Sequence, residues 1–154
     1  EERRKFGEVV FLLEPNIKRS RGGLRDIQLI RWIGFAQYGE CELEKLHHLG
    51  HLAREDYRSL RRGYQYLLRL RNQIHFDAGK GMDQLDRALQ IRLAEWSGFE
   101  GAEGILPVEQ FMSEYFEITS EIRYCSAHFV ETAKWQSPVA VSIEHSMGVP
   151  VQVL

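Results

Sequence analysis

Pro107-Val108-Glu109-Gln110-Phe111-Met112-Ser113-Glu114-Tyr115 opens the stretch that decides the fold, which runs on to Gln136. Val108, Phe111, Met112, Tyr115, Thr119, Ile122, Ser126, Phe129 and Ala133 fall at helical spacing along it. That keeps one apolar stripe on one helix face for about 28 residues, roughly 40 Å at 1.5 Å per residue. Pro107 suits the first turn, where a missing N–H costs nothing. Ser137-Pro138 breaks the pattern. A stripe this long needs other helices to cover it.

The rest of the chain supplies them. A linker, Phe99 to Leu106, carries Gly101 and Gly104. Before it, Leu85, Leu89, Leu93 and Trp96 share one stripe of a helix expected to start at Asp83 or Gln84 and to stop at Gly98. Tyr57, Leu60, Tyr64, Leu67, Arg71 and Ile74 mark a long helix from Arg54 to Phe76, closed by Gly79 and Gly81. A short helix spans Glu42 to His51, and another runs from Leu24 to Tyr38, ending at Gly39. In that first helix Leu24, Ile27, Leu29, Ile30, Trp32, Ile33 and Phe35 spread nearly all round, which predicts a surrounded helix. Apolar runs at Val9–Leu13, Val139–Ile143 and Val149–Leu154 read as short strands. The expected fold is therefore mostly α: an antiparallel helical bundle of about five helices with short strands at both ends.

Composition narrows the function. The 154 residues are one domain's worth, and 44% hydrophobic with 27% charged residues matches a globular protein with a real core. Twenty Lys+Arg against 22 Asp+Glu argue against a nucleic-acid-coating protein. No apolar run approaches a membrane span, and two cysteines, Cys41 and Cys125, make no disulfide framework, so a cytoplasmic location is expected. The start, Glu1-Glu2-Arg3-Arg4-Lys5, reads as a cut through a longer protein. Charge is uneven: seven bases lie between Arg3 and Arg25, and seven glutamates between Glu100 and Glu131. The first cluster suggests a local anion site and the second a solvated helix face.

The basic cluster centres on Lys18-Arg19-Ser20-Arg21-Gly22-Gly23, followed by Leu24-Arg25-Asp26. Glycines before a helix can turn backbone N–H groups toward a ligand, and the helix N-terminus adds positive charge. Lys18, Arg21, Gly22, Gly23 and Arg25 are thus candidate phosphate-binding residues, with Asp26 orienting a neighbouring cation; a plain basic turn is the alternative. Arg71 occupies a leucine's place in its stripe, with His75 one turn later, so it needs Asp26, Asp83, Asp86 or a ligand phosphate as a partner. His47, His48 and His51 lie near Glu44 at metal-like spacing, but a third ligand for a closed site is not evident, so no metal site is assigned. No Asp-x-Asp pair, Gly-x-Ser-x-Gly, Cys-x-x-Cys or GxGxxG is present, so no catalytic residue is assigned.

Leu13-Glu14-Pro15-Asn16-Ile17-Lys18, then Gly22-Gly23-Leu24-Arg25-Asp26-Ile27-Gln28 and Trp32, resemble the PII-protein uridylyltransferases, bifunctional uridylyltransferase/uridylyl-removing enzymes. The resemblance continues at Arg71-Asn72-Gln73-Ile74-His75, Gly79, Asp83, Leu85, Gln90 and Leu93-Ala94, and returns at Val108-Glu109-Gln110-Phe111-Met112 with Tyr115. The chain departs from the family pattern at Arg19-Ser20-Arg21 and at Lys80, keeping the charge positive. The resemblance implies that residues 1–23 close a nucleotidyltransferase palm and its basic loop, 24–136 form the helical domain, and 137–154 lead to a further domain. It implies transfer of UMP from UTP to a tyrosine of the PII signalling protein, with Mg²⁺ held by carboxylates outside this chain. Lys18 and Arg25 would then face the triphosphate, with Arg71 and His75 on the palm-facing side. UTP and the PII protein are the expected partners, with no membrane and no nucleic acid. The alternatives are a domain of a glutamine synthetase adenylyltransferase-like enzyme, and a non-catalytic helical interaction module.

Overall fold

The structure, a computed structural model, describes residues 14–102 and 104–135. They form five helices: α1 (Leu24–Tyr38), α2 (Leu43–His48), α3 (Arg54–Ala78), α4 (Arg87–Trp96) and α5 (Pro107–Trp135). The protein is mostly helical, as expected. The strands expected at Val9–Leu13, Val139–Ile143 and Val149–Leu154 lie outside the described residues. Within them, extended pairing amounts to two isolated bridges, Asn16–Gln84 and Ala102–Ile105. No described helix is long and apolar enough to cross a membrane.

Helix α5 is the spine, since α1, α3 and α4 all pack on it. Its buried side chains are Val108, Phe111, Tyr115, Ile118, Thr119, Ile122, Cys125, Ser126, Phe129 and Ala133. That is the stripe read from the sequence, with Ile118 and Cys125 added and Met112 half-buried. At its start the Leu106 N–H donates to Glu109 Oε2 at 2.9 Å, which satisfies one of the amides a helix start leaves open.

Close approach builds the α3–α5 contact. Gly63 is buried on α3, and a Cβ there would lie 2.6 Å from Ile122 Cδ1. In the first turn of α3, buried Asp56 receives the Cys125 thiol at 3.5 Å and lies 2.8 Å from His128 Nδ1. Burial, and then the Asp56 carboxylate, push the Cys125 thiol up to about 12, so it stays protonated and donates.

Four elements differ from their sequence reading, and in the shortest of them, α2, the helix covers only Leu43–His48 of the expected Glu42 to His51, closing at Leu49. Helix α1 buries Asp26, Ile27, Ile30 and Gly34, whereas Trp32 and Phe35 are 57% and 64% exposed. It packs chiefly on α5 and α3, so residues facing away from those two stay exposed despite being apolar. Helix α3 continues past Phe76 to Ala78 and ends on Gly79, whose φ of +60° is glycine's territory. Helix α4 starts at Arg87, later than Asp83 or Gln84, because those two residues are drawn elsewhere: Asp83 to Arg71 and Gln84 to Asn16. Asp86 then caps the helix, accepting from the Leu89 N–H at 2.9 Å.

Candidate functional site

The basic loop is closed by its own hydrogen bonds. Asn16 Oδ1 accepts from the N–H groups of Lys18 and Arg19 at 3.1 and 2.8 Å, and Ser20 Oγ accepts from the Asn16 N–H at 2.8 Å. Such Asx-type turns replace water at loop amides. The next amides are also taken. Gly22 N–H donates to Asp26 Oδ2 at 2.7 Å, and Gly23 N–H to the Ser20 carbonyl at 2.9 Å. Leu24, Arg25 and Asp26 donate to the carbonyls of Ile17, Lys18 and Gly23. The amides expected to cradle an anion therefore serve the loop itself.

The glycines have a different task. Gly22 has φ +75°, and a Cβ there would come within 1.8 Å of the Thr119 carbonyl on α5. Gly23 caps α1 with extended backbone, and a Cβ there would press on the Ile17 carbonyl at 2.7 Å. Both let the loop lie directly against its neighbours. Asp26 holds that contact from two sides: its carboxylate takes Gly22, and its carbonyl accepts from Ser126 Oγ of α5 at 3.3 Å.

Side chains, not amides, make the cationic surface. Lys18 joins Gln28 and Arg31 of α1 with Tyr64, Leu68 and Arg71 of α3 around a cavity of about 270 Å³. Arg21 and Arg25 are half-buried, do not line it, and have interactions of their own. The structure thus brings Lys18 and Arg71 together and leaves Arg21 of the loop and Arg25 of α1 apart.

Arg71 has its carboxylate partner in Asp83, not in Asp26 or Asp86. Its Nε donates to Asp83 Oδ1 at 2.6 Å, and His75 Nε2 lies 3.2 Å from the same oxygen. Burial alone would favour a proton on Asp83, but the hydrogen bonds and charges of Arg71 and His75 outweigh it and hold the carboxyl below its ordinary range. Asp83 also ties down the chain entering the helices. Its carbonyl accepts from the Ile17 N–H at 2.8 Å, the Leu85 N–H donates to the Pro15 carbonyl at 2.8 Å, and the Gln84 side-chain amide reaches the Glu14 carbonyl. Ile17, from the loop, is fully buried in the core.

The histidines near Glu44 pack instead of gathering. His47 stacks on Tyr57 with ring centroids 5.2 Å apart and its Nδ1 3.0 Å from the Leu52 carbonyl, while His51 stacks on Tyr38 at 3.7 Å. Among the described residues no three of His, Cys, Asp or Glu are grouped to hold a metal ion.

The family model described as GlnD PII-uridylyltransferase matches residues 1–130. The chain belongs to the PII-uridylyltransferase family. A bifunctional uridylyltransferase/uridylyl-removing enzyme of Pseudomonas savastanoi pv. phaseolicola is 35% identical over 131 residues, covering 82% of this chain and 15% of that protein. The enzyme of the same name from Stutzerimonas stutzeri is 32% identical over 136 residues, covering 86% and 15%. That of Azotobacter vinelandii is 35% identical over 114 residues, covering 74% and 13%. The chain spans about 15% of the length of the curated relatives it matches. No solved structure matches it.

Within this uridylyltransferase-family chain, the motif residues divide by role. Gly22, Gly23 and Asp26 bind the loop to α5 and to itself, Arg71, His75 and Asp83 lock the entry segment, and Lys18 and Gln28 reach the cavity. Sequence reasoning passed over Arg31 and took Tyr64 for core. The signal was present: Leu24, Gln28 and Arg31 on α1, and Tyr64, Leu68 and Arg71 on α3, share the same four-then-three spacing, which puts each trio on one helix face.

Proposed function

We propose that this chain is the antiparallel helical-bundle domain of an enzyme that transfers UMP from UTP to a tyrosine of the PII signalling protein, and that it positions the nucleotide. The observation that carries the reading is the family match over residues 1–130, joined to the way residues 14–17 are zipped onto residues 83–85 and locked by Arg71 and His75. A palm domain upstream of such a segment would be held in one register against the helices, and Lys18 would stand where the two meet. The reaction depends on placing a triphosphate and offsetting its charge. Lys18 would supply part of that charge, with Arg25 close by in sequence on α1. By the resemblance to the family, Mg²⁺ would be held by carboxylates outside this chain, in a cytoplasmic enzyme.

The test is uridylyl transfer by the full-length enzyme. Lys18→Ala is expected to lower kcat/KM at least tenfold, a loss of about 1.4 kcal/mol in transition-state stabilisation. Charge reversal at the exposed Glu117 of α5 is expected to leave it unchanged. The opposite pattern would favour a helical interaction module over a nucleotide-positioning domain.

A further inference from the structure

We infer that the cavity between α1 and α3 is a polyphosphate site, formed by Lys18, Arg31 and Arg71 with Gln28 and Tyr64 at its wall. It deepens the proposed function and rests on it for the source of the phosphate, a nucleoside triphosphate. Three cations from three elements converge there. Two are held from behind by carboxylates. Arg31 donates to Glu42 Oε1 at 2.7 Å and to the Cys41 carbonyl at 3.2 Å, and Arg71 donates through Nε to Asp83. Those contacts fix the guanidinium planes. They leave both terminal nitrogens of Arg71 without a hydrogen-bond partner among the described residues.

Lys18 is different again. Its side chain has no ion pair or hydrogen bond among the described residues, although its backbone is held on both sides of the loop. The cavity is therefore lined by three cations, two of them matched by carboxylates behind it, and the unmatched charge belongs to the residue nearest the entering chain. Gathering like charges without an anion is unfavourable, and a guanidinium with free terminal N–H groups matches phosphate oxygens in pairs. Gln28 and Tyr64 add neutral donors. At about 270 Å³ the cavity is smaller than the roughly 300–1,000 Å³ that encloses a drug-sized ligand. It has room for phosphate groups, with the nucleoside left outside.

Lys18 can report on this directly. Pyridoxal phosphate followed by borohydride labels lysines, and peptide masses give the extent at each one. In the full-length enzyme, inorganic triphosphate is expected to slow labelling of Lys18 at least tenfold while leaving exposed Lys80 unchanged. Gln28 is exposed on α1, so its charge can be changed without disturbing the core. Gln28→Glu should abolish the protection and Gln28→Lys should bring it to lower triphosphate concentration. Lys18 unprotected by triphosphate, protected by UTP alone, or protected regardless of the charge at residue 28 would each overturn the site. Uridylyl transfer by the same variants separates the two readings. Protection in the wild-type enzyme that is lost in Gln28→Glu while that variant keeps wild-type transfer would keep the anion site and remove its part in nucleotide positioning. Loss of transfer in Lys18→Ala without any protection would keep the positioning role and remove the site.

Discussion

Asp83 shows how much one residue can organise here. Its carboxylate gathers Arg71 and His75, its carbonyl receives Ile17, and the residue after it bridges to Asn16. A lone Arg in an apolar stripe told the sequence reader that a partner had to exist, because a stranded guanidinium is costly. It did not say which of three aspartates, since Asp26, Asp83 and Asp86 differ in fold position and not in chemistry. Because the carboxyl is held below the ordinary aspartate value of about 3.9, its contribution to stability is complete above that value. It is lost as pH falls through the lowered folded-state value. Asp83→Asn is therefore expected to cost about 1 kcal/mol near neutral pH, allowing for solvent screening of a partly exposed pair. It should also flatten the loss of stability below about pH 4. Denaturant unfolding between pH 7 and pH 2 measures both, and an acid limb identical in the two proteins would remove Asp83 as its source.

At the scale of elements, two glycines set how near α5 its neighbours can come. A methyl group on Gly22 meets the Thr119 carbonyl at 1.8 Å from a left-handed backbone, and no rotamer relieves a clash with backbone. Gly22→Ala is expected to cost about 3 kcal/mol or more. On Gly63 the methyl meets the end of a side chain, Ile122 Cδ1 at 2.6 Å. There the cost should be about 1–2 kcal/mol, partly offset by alanine's better helix propensity of about 1 kcal/mol. Ile122→Val removes the nearest atom, so it should recover part of the loss in the double variant, and thermal unfolding of the four proteins closes the cycle. Helix existence was legible throughout, because the stripe of α5 and the capping glycines Gly39 and Gly79 are local signals. The start of α4 was not. Asp83 and Gln84 have helix-compatible side chains, and only their distant partners keep them out of the helix.

For the whole molecule, the two cysteines give a readout of cooperativity. Cys41 is half-buried in the α1–α2 connection, whereas Cys125 is 3% exposed beneath α3, with its thiol held protonated against Asp56. Labelling at neutral pH should be fast at Cys41 and, at Cys125, as slow as global unfolding. Fast labelling of Cys125 in the folded protein would mean that α3 and α5 separate locally. The sequence by itself determined the helical class, the span of the central helix and the basic character of the loop before α1. These depend on periodicity and composition, which are properties of neighbours along the chain. The tertiary structure decided which face of α1 is buried, that the loop amides serve the loop, and that Lys18, Arg31 and Arg71 share one cavity. Those outcomes come from groups far apart in sequence meeting across helices, where packing on α5, and not local spacing, chooses the partner.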